Sequence, residues 1–220
     1  MIRIFVGYDE REAVAYHAFC QSVIERASEP VQFIPLAKNM LAGFDGQRDG
    51  SNAFIYSRFL IPSLMGFKGW AIFADGDMIC KADIAELWAL RNPWMAVHVV
   101  KHDYKTKHPV KYLGAKNEDY PKKNWSSLIL WNCEHFRNRQ LTREMVSKAT
   151  GADLHRFSWL PDDRIGELPL DWNWIVSEYP ENPDAKLLHY SIGTPCFPDY
   201  SRCPQARDWH DVHRRMNEPN

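Results

Sequence analysis

One stretch decides the fold of this chain: residues 70–77, with the sequence WAIFADGD. Five consecutive apolar residues are typical of a strand that is buried on both faces, and such strands belong to sheets covered by helices on each side. In an open α/β sheet, ligands bind beyond the carboxyl ends of the strands. We therefore expect the carboxylates of Asp75 and Asp77 to face the main ligand crevice.

Strand and helix patterns alternate on both sides of this stretch. The predicted strands are residues 2–7, 31–34, 70–74, 95–100, 127–131 and 186–190, and the predicted helices are 12–27, 53–65, 142–149 and 209–217. We expect Pro35 to stop the second strand, Ser51 or Asn52 to cap the second helix after a glycine- and aspartate-rich loop, and Gly151 to end the third helix. The alternation predicts an α/β fold with a mostly parallel mixed sheet flanked by helices.

The composition is that of one globular domain. The chain has 220 residues, 45% of them apolar and 25% charged, which suits a single sizeable core. A net charge of −1 argues against nucleic-acid binding over the whole surface, although a local basic segment leaves a nucleic-acid partner open. Five cysteines without a CxxC pair, together with the lack of a signal peptide or a transmembrane segment, predict a cytoplasmic protein with reduced thiols.

Two features predict metal chemistry. Carboxylate oxygens such as those of Asp75 and Asp77 suit Mg²⁺ or Mn²⁺, which complete their coordination with substrate phosphates. The Asp-x-Asp pattern is common by chance, so its position at the end of a buried strand carries the argument. His189 ends a second apolar strand and could add a neutral ring nitrogen to the same ion. The alternative is a core histidine bonded to the backbone.

Several motifs occur together in a known order. They are a Tyr-x-Arg segment at 56–58, the Asp-x-Asp strand at 70–79, Trp-Ser-Ser at 125–127, Pro-Asp-Asp at 161–163, Leu-Pro with Trp-Asn at 168–173, and His189 with Gly193. This series resembles the family 8 glycosyltransferases, the group of glycogenin and the bacterial lipopolysaccharide galactosyltransferases, and the chain looks like a diverged relative. The resemblance implies a single GT-A domain over 1–220. It also implies a nucleotide-binding half at about 1–100, an acceptor-binding and catalytic half at about 101–200, and a helical tail at 201–220.

The resemblance also implies a reaction: transfer of a sugar from a nucleotide sugar, with UDP as the nucleotide, to a glycan or another hydroxyl acceptor. Asp75, Asp77 and His189 would hold Mn²⁺, or Mg²⁺, against the donor diphosphate. The donor site would further contain Tyr8, Asp9, Arg58, Gly76, Ser127 and Gly193. The implied catalytic residues are Asp162 and Asp163 beside the reacting sugar, with Arg58 on the diphosphate or the sugar.

The chain departs from the family pattern at several positions. The spacing from His189 to the glycine is one residue longer, and Cys196 or Phe197 stands near the place of the usual phosphate-binding lysine. A lysine of the segment 101–123, which holds seven lysines and three acids, is one replacement, and the metal alone is the other. The same segment either recognises an anionic acceptor or is a solvated loop. The family retains anomeric configuration, whereas Asp163 acting as a base would imply inversion.

Two other function classes fit parts of the sequence. A haloacid-dehalogenase-type phosphatase would use Asp75 as nucleophile and Asp162 with Asp163 as a late acidic pair for Mg²⁺. That nucleophile normally follows the first strand, however, and here about seventy residues precede it. A non-catalytic nucleotide- or carbohydrate-binding module would bind the donor without turnover.

Overall fold

The computed structural model describes residues 1–41, 44 and 54–218. The strands are β1 (Ile2–Gly7), β2 (Val31–Leu36), β3 (Trp70–Ala74), β4 (Met78–Cys80), β5 (Val97–Val99), β6 (Leu128–Asn132), β7 (Ile165–Glu167), β8 (Trp174–Ile175) and β9 (Leu187–His189). The α-helices are α1 (Ala13–Ile24), α2 (Ile61–Leu64), α3 (Ile84–Ala89), α4 (Arg143–Lys148), α5 (Gly151–His155) and α6 (Ala206–Asn217). The six predicted strands are thus confirmed, with several of their ends displaced by one or two residues.

Within the described ranges, the central sheet has six strands in the order β2-β1-β3-β6-β5-β7. Of these six, β6 runs antiparallel to its two neighbours, and the other three pairs are parallel. This confirms the expected mostly parallel mixed sheet. Because β3 and β6 pair, strands from both sides of residue 100 share one sheet.

A second, three-stranded sheet has the order β4-β9-β8. Strand β4 begins directly after Asp77, and it pairs antiparallel with β9 so that Met78 lies opposite His189. The backbone N–H of Tyr190 also donates to the carbonyl of Asp77 at 2.9 Å. This small sheet therefore holds the segment around His189 against the end of the Asp-x-Asp turn.

Buried apolar layers cover both faces of the central sheet. Successive residues of β3 alternate between them, because side chains of a strand point to opposite faces. Ala71 and Phe73 pack in one layer, whereas Ile72 and Ala74 pack in the other. Full burial on both faces explains why this strand is apolar throughout and why the sequence marked it so clearly.

Two prolines lie inside secondary-structure elements. The prediction that Pro35 stops the second strand is wrong, since β2 continues to Leu36 with Pro35 paired to Val6. Because β2 is an edge strand of the described sheet, a missing N–H there is tolerated. The second predicted helix, 53–65, is α-helical only at Ile61–Leu64 among its described residues, and a 3₁₀ turn at Ser57–Leu60 precedes it. Pro62 lies in the first turn of α2, where its missing N–H costs no hydrogen bond.

Gly151 does not end the third helix; it opens the next one. Helix α4 ends at Lys148, and Thr150 then caps α5 by accepting from the backbone of Asp153, whose carboxylate accepts in return from the Thr150 N–H. This reciprocal capping box favours a new helix start. The predicted cap at Ser51 or Asn52, like most of the loop before it, lies outside the described residues.

The C-terminal helix α6 packs Trp209 and Val212 against Ala18 of α1 and Tyr190. No helix in the described part of the chain has the length and apolar content needed to cross a membrane.

Candidate functional site

The Asp-x-Asp turn is held close to the end of β1. A Cβ atom on Gly76 would lie 2.4 Å from the carbonyl oxygen of Gly7, so only glycine fits between these two chain segments. The backbone N–H of Asp75 donates to the carbonyl of Ser127 at 2.9 Å. The two carboxylates are therefore fixed at the carboxyl ends of β1 and β3, as the sequence predicted.

Asp75, Asp77 and His189 meet at this edge of the sheet. Nε2 of His189 lies 3.4 Å from Oδ1 of Asp77 and 3.9 Å from Oδ2 of Asp75. One ligand atom from each residue lies within 4.8 Å of the others. Among the described residues, the buried Oδ1 of Asp77 accepts no hydrogen bond. Two carboxylates and one imidazole with an unsatisfied buried oxygen fit a divalent cation such as Mn²⁺ or Mg²⁺.

A buried asparagine orients the imidazole. Asn173 ends the 3₁₀ turn Leu170–Asn173, and its Oδ1 lies 3.0 Å from Nδ1 of His189. Its Nδ2 donates to Oγ of Ser127 at 2.8 Å, which identifies Oδ1 as the atom facing the ring. Nδ1 of His189 then carries the proton, and Nε2 keeps its lone pair for the metal side. The sequence places Asn173 in the Trp-Asn motif but predicts no role for its side chain.

Arg58 is buried beside the predicted metal cluster, the group formed by Asp75, Asp77 and His189. Its Nη1 lies 2.9 Å from Oδ1 of Asp75 and donates to the carbonyl of Ser126 at 2.8 Å. The guanidinium also lies over the ring of Phe73, 4.7 Å from the centroid. The partly buried His155 contacts Oγ of Ser126 at 2.6 Å, and desolvation together with Arg58 lowers its pKa to about 3. His155 is therefore neutral at physiological pH.

The three carboxyl groups at this edge of the sheet differ in the direction in which their pKa values are shifted. Burial raises the pKa of Asp75 to about 6, although Arg58 opposes that shift. Burial also acts to raise the pKa of Asp77, but His189 and Lys111 together act against it, and the pKa of Asp77 is lowered. Burial, followed by the charge of Asp77, raises the pKa of nearby Glu12 to about 8. A bound divalent cation would favour the ionised form of each carboxylate.

A cavity of about 610 Å³ opens beside this cluster. Its lining includes Asp75 and Ser127 together with four cationic side chains, those of Arg58, Lys111, Lys116 and Arg156. Glu118 is the second acidic residue of the lining. The excess of positive charge suits an anionic ligand bound next to the metal cluster.

The lining of this cavity does not include the four other predicted donor-site residues, which are Tyr8, Asp9, Gly76 and Gly193. Asp9 is buried at the end of β1, where it pairs with the side chain of Arg11 and accepts from its backbone N–H. Tyr8 packs edge-on against Tyr16. A Cβ on Gly193 would lie 2.4 Å from the ring of Tyr200, so the contact that demands glycine here is aromatic.

The predicted catalytic acids are at the surface. The side chain of Asp162 is 86% exposed and pairs with Nζ of Lys122 at 2.7 Å. That of Asp163 is 70% exposed and lies 3.7 Å from Arg164. Neither residue lines the cavity with Arg58. The structure thus brings together the three predicted metal ligands, Arg58 and Ser127, but not the two acids.

The lysine-rich segment 101–123 packs against the body of the protein. Buried Glu178 accepts from Oγ1 of Thr106 and from the N–H of Lys107, both at 2.8 Å. Buried Lys123 donates to Asn117 at 2.7 Å. Within this segment, Lys111 and Lys116 are the lysines that line the cavity.

A family profile and a known plant protein both match most of this chain. The sequence profile described as glycosyl transferase family 8 matches residues 28–194. Protein CDI from Arabidopsis thaliana is 40% identical over 228 residues, which cover 99% of this chain and 88% of that protein.

Solved glycosyltransferases share the fold. GlyE from Streptococcus pneumoniae TIGR4 aligns with a TM-score of 0.64 at 12% identity, over 97% of this chain and 61% of that chain. The galactosyltransferase LgtC, solved with donor and acceptor sugar analogues, aligns with a TM-score of 0.60 at 13% identity, over 100% of this chain and 98% of its own. The bifunctional glycosyltransferase WbbM gives 0.62 at 18% identity over 99% of this chain, which spans half (50%) of the WbbM chain.

These structural matches confirm the expected GT-A architecture, and the family assignment favours sugar transfer over the phosphatase alternative. The profile match covers more than half of the chain, and the Arabidopsis relative covers nearly all of it. This chain is a glycosyltransferase and belongs to glycosyl transferase family 8.

Proposed function

We propose that this glycosyltransferase takes its sugar from a nucleoside diphosphate sugar, with UDP as the preferred nucleotide, and transfers it to a hydroxyl of a glycan or similar acceptor. The observation that carries the proposal is the meeting of Asp75, Asp77 and His189 beside a basic cavity. The resemblance to family 8 supplies the preference for UDP.

The residues of the cluster have separate tasks in this proposal. Asp75, Asp77 and His189 would hold Mn²⁺ or Mg²⁺, and a bound divalent ion supplies charge stabilisation to the departing diphosphate. Arg58 keeps the buried carboxylate of Asp75 ionised and oriented through their ion pair at 2.9 Å. As a lining residue of the cavity, Arg58 also presents guanidinium N–H groups to donor phosphate or sugar oxygens.

The stereochemical course proposed is retention, on the strength of the family resemblance. Asp162 and Asp163 stay candidates for action at the reacting sugar, and their surface position suits contact with an incoming acceptor. NMR of the first-formed product anomer tests this part: the configuration of the donor is expected, and the opposite anomer would show inversion with an Asp163-type base.

The acceptor and the compartment are also proposals. The basic lining of the cavity supports an acceptor that carries an anionic group, and a neutral glycan is the alternative outcome of an acceptor screen. We propose a cytoplasmic location because all five cysteines are free thiols. Fractionation of source cells checks this, and recovery of the protein only from a secreted fraction would contradict it.

The proposed reaction is tested with purified protein, Mn²⁺ and a panel of UDP-sugars, by following UDP release. We expect release that EDTA abolishes and that Asp75→Asn lowers by at least about 1,000-fold, because the substitution removes a metal ligand. The matched control is Asp208→Asn, which alters an aspartate that pairs with Lys81 at the surface. Undiminished release by the Asp75 variant would contradict the proposal. Phosphate-ester hydrolysis without UDP release would instead favour the phosphatase, and UDP binding without turnover would favour a binding module.

A further inference from the structure

The segment that follows the metal ligand His189 has no positive charge of its own. Residues 189–200 read HYSIGTPCFPDY and contain neither lysine nor arginine. A donor diphosphate bound at the metal cluster would extend beyond the ion, and its remaining charge needs a cation from elsewhere in the chain.

Lys111 is placed beside this segment by the backbone. The N–H of the next residue, Tyr112, donates to the carbonyl of Ile192 at 2.8 Å. The N–H of Lys111 itself donates to the carbonyl of Ala115 at 2.8 Å, which closes a tight turn. Lys111 also lines the cavity that Asp75 lines. A residue far from the metal ligands in sequence thus lies next to them in space.

The side chain of Tyr112 fixes that position further. Its hydroxyl donates to Oε1 of Glu12 at 3.0 Å, and its ring stacks on Phe197 with a centroid separation of 5.3 Å. Tyr112 is buried, so these contacts hold the turn between the 3₁₀ turn Glu10–Glu12, just before α1, and the segment after β9. The location of the Lys111 backbone is therefore defined by packing from both sides.

The ammonium of Lys111 lies among charged groups. Burial lowers its pKa, whereas the carboxylates of Asp77 and Asp75 act in the opposite direction. In the part of the chain that the structure describes, no hydrogen bond or ion pair is made to its Nζ atom. A half-buried ammonium next to a basic cavity is unfavourable unless anionic oxygens reach it.

We infer that Lys111 binds the diphosphate of the donor and supplies the positive charge that the segment after His189 lacks. This inference rests on the proposed function, since it names a residue of the same donor site. A lysine suits the role because its compact ammonium can approach several phosphate oxygens without a fixed geometry. The turn at 111–115 then contacts the donor, and no other part of the lysine-rich segment 101–123 is required for donor binding.

The test compares UDP binding by wild type, Lys111→Met, Lys111→Arg and Lys107→Met in the presence of Mn²⁺, by calorimetry. Lys107 is the matched control because it belongs to the same lysine-rich segment but is exposed and does not line the cavity. We expect Lys111→Met to weaken UDP binding by about 10- to 100-fold, the range for loss of a charge-assisted hydrogen bond. Lys111→Arg and Lys107→Met are expected to stay within about fivefold of wild type.

Binding of Mn²⁺ alone, followed by the EPR signal of the free ion, shows that each variant keeps a folded metal site. Equal UDP affinity in wild type and Lys111→Met would overturn the inference while leaving the proposed function intact. An equally large loss in Lys111→Arg and Lys111→Met would overturn the role of charge. Failure of the wild type to bind UDP with Mn²⁺ would instead contradict the proposed function itself.

Discussion

Oδ1 of Asn173 lies 3.0 Å from Nδ1 of His189, and this contact decides which ring nitrogen can face a metal. The amide is held in turn by Ser127, whose Oγ donates to the carbonyl of Asn124 at 2.7 Å. A chain of three polar side chains thus runs behind the metal cluster. Since outer partners of this kind orient a histidine and raise its basicity, the chain should govern metal affinity.

We expect Asn173→Ala to weaken Mn²⁺ binding by about 10- to 100-fold, because the His189 tautomer is no longer fixed. An EPR titration of free Mn²⁺ measures this directly. The matched control is Asn138→Ala, since Asn138 is equally buried but bonds to Ala96 and Asn132. If both variants lose the same amount of Mn²⁺ affinity, general destabilisation explains the effect and the orienting role is wrong.

Gly76 is expected to tolerate no larger residue. In Gly76→Ala the new Cβ would lie 2.4 Å from the carbonyl of Gly7, so the β1 and β3 ends must move apart. Overpacking of this kind costs about 1–3 kcal/mol of the free energy of unfolding, and the Tm should fall by ~2–10 °C. In Gly151→Ala the nearest atom is the movable Oη of Tyr56 at 3.2 Å, and a smaller change is expected there. An unchanged Tm in Gly76→Ala would refute the close approach of Gly76 to the carbonyl of Gly7.

Glu12 should make the metal-free protein less stable as the pH rises. Its pKa is raised from 4.5 in the unfolded chain to about 8 in the folded protein, mainly by burial. The folded state therefore holds a proton that the unfolded state releases, so this contribution to stability is complete below pH 4.5 and is lost as pH rises through about 8.

Urea unfolding in EDTA should accordingly show Glu12→Gln equal to wild type near pH 4.5 and more stable, by about 1–3 kcal/mol, at pH 9. Gln keeps an oxygen for the Tyr112 hydroxyl. Glu10→Gln, at an exposed position of the same turn, should leave the pH dependence unchanged. A difference between Glu12→Gln and wild type that is constant with pH would rule out the linkage.

The catalytic role of Asp162 and Asp163 stays a prediction from the resemblance, and Asn substitutions test it. In the retaining reaction proposed here, these carboxylates would act by stabilising charge at the reacting sugar, an effect that contributes about 10²- to 10³-fold to a rate. Asp163→Asn is therefore expected to lower kcat by about 100-fold while leaving the KM for the donor nearly unchanged. Losses of kcat below about threefold in both variants would rule out a role for these carboxylates at the reacting sugar.

The sequence predicted the elements whose signal is local. The apolar run of β3 marks a strand buried on both faces, and the acids that follow it fall at the carboxyl edge of the sheet as a consequence of topology. His189 could be recognised as the end of a second apolar strand. Its approach to Asp77 depends on the pairing of β4 with β9, which a motif order suggests but local spacing does not contain.

The remaining parts of the site depend on long-range packing. The sequence places Asn173 in a motif and Lys111 in the lysine-rich segment, but it singles out neither residue. Their proposed roles depend on the packing of the 3₁₀ turn Leu170–Asn173 against β9 and on the hydrogen bond between Tyr112 and Ile192. The prediction at Pro35 is wrong because a proline is tolerated in an edge strand such as β2. The prediction at Gly151 is wrong because the capping box of Thr150 and Asp153 favours the start of a new helix there.

The measurement that tests the central claim most directly is thermal unfolding of the wild type with UDP, with Mn²⁺, with both, and with UDP in EDTA. Ligand at a hundred times its Kd stabilises the folded state by about 2.7 kcal/mol, a rise of several degrees for a chain of this size. We predict a rise in Tm that requires UDP and Mn²⁺ together and that Asp75→Asn abolishes. An equal rise with UDP in EDTA, or no rise with both ligands present, would contradict a metal held by Asp75, Asp77 and His189 against a donor diphosphate.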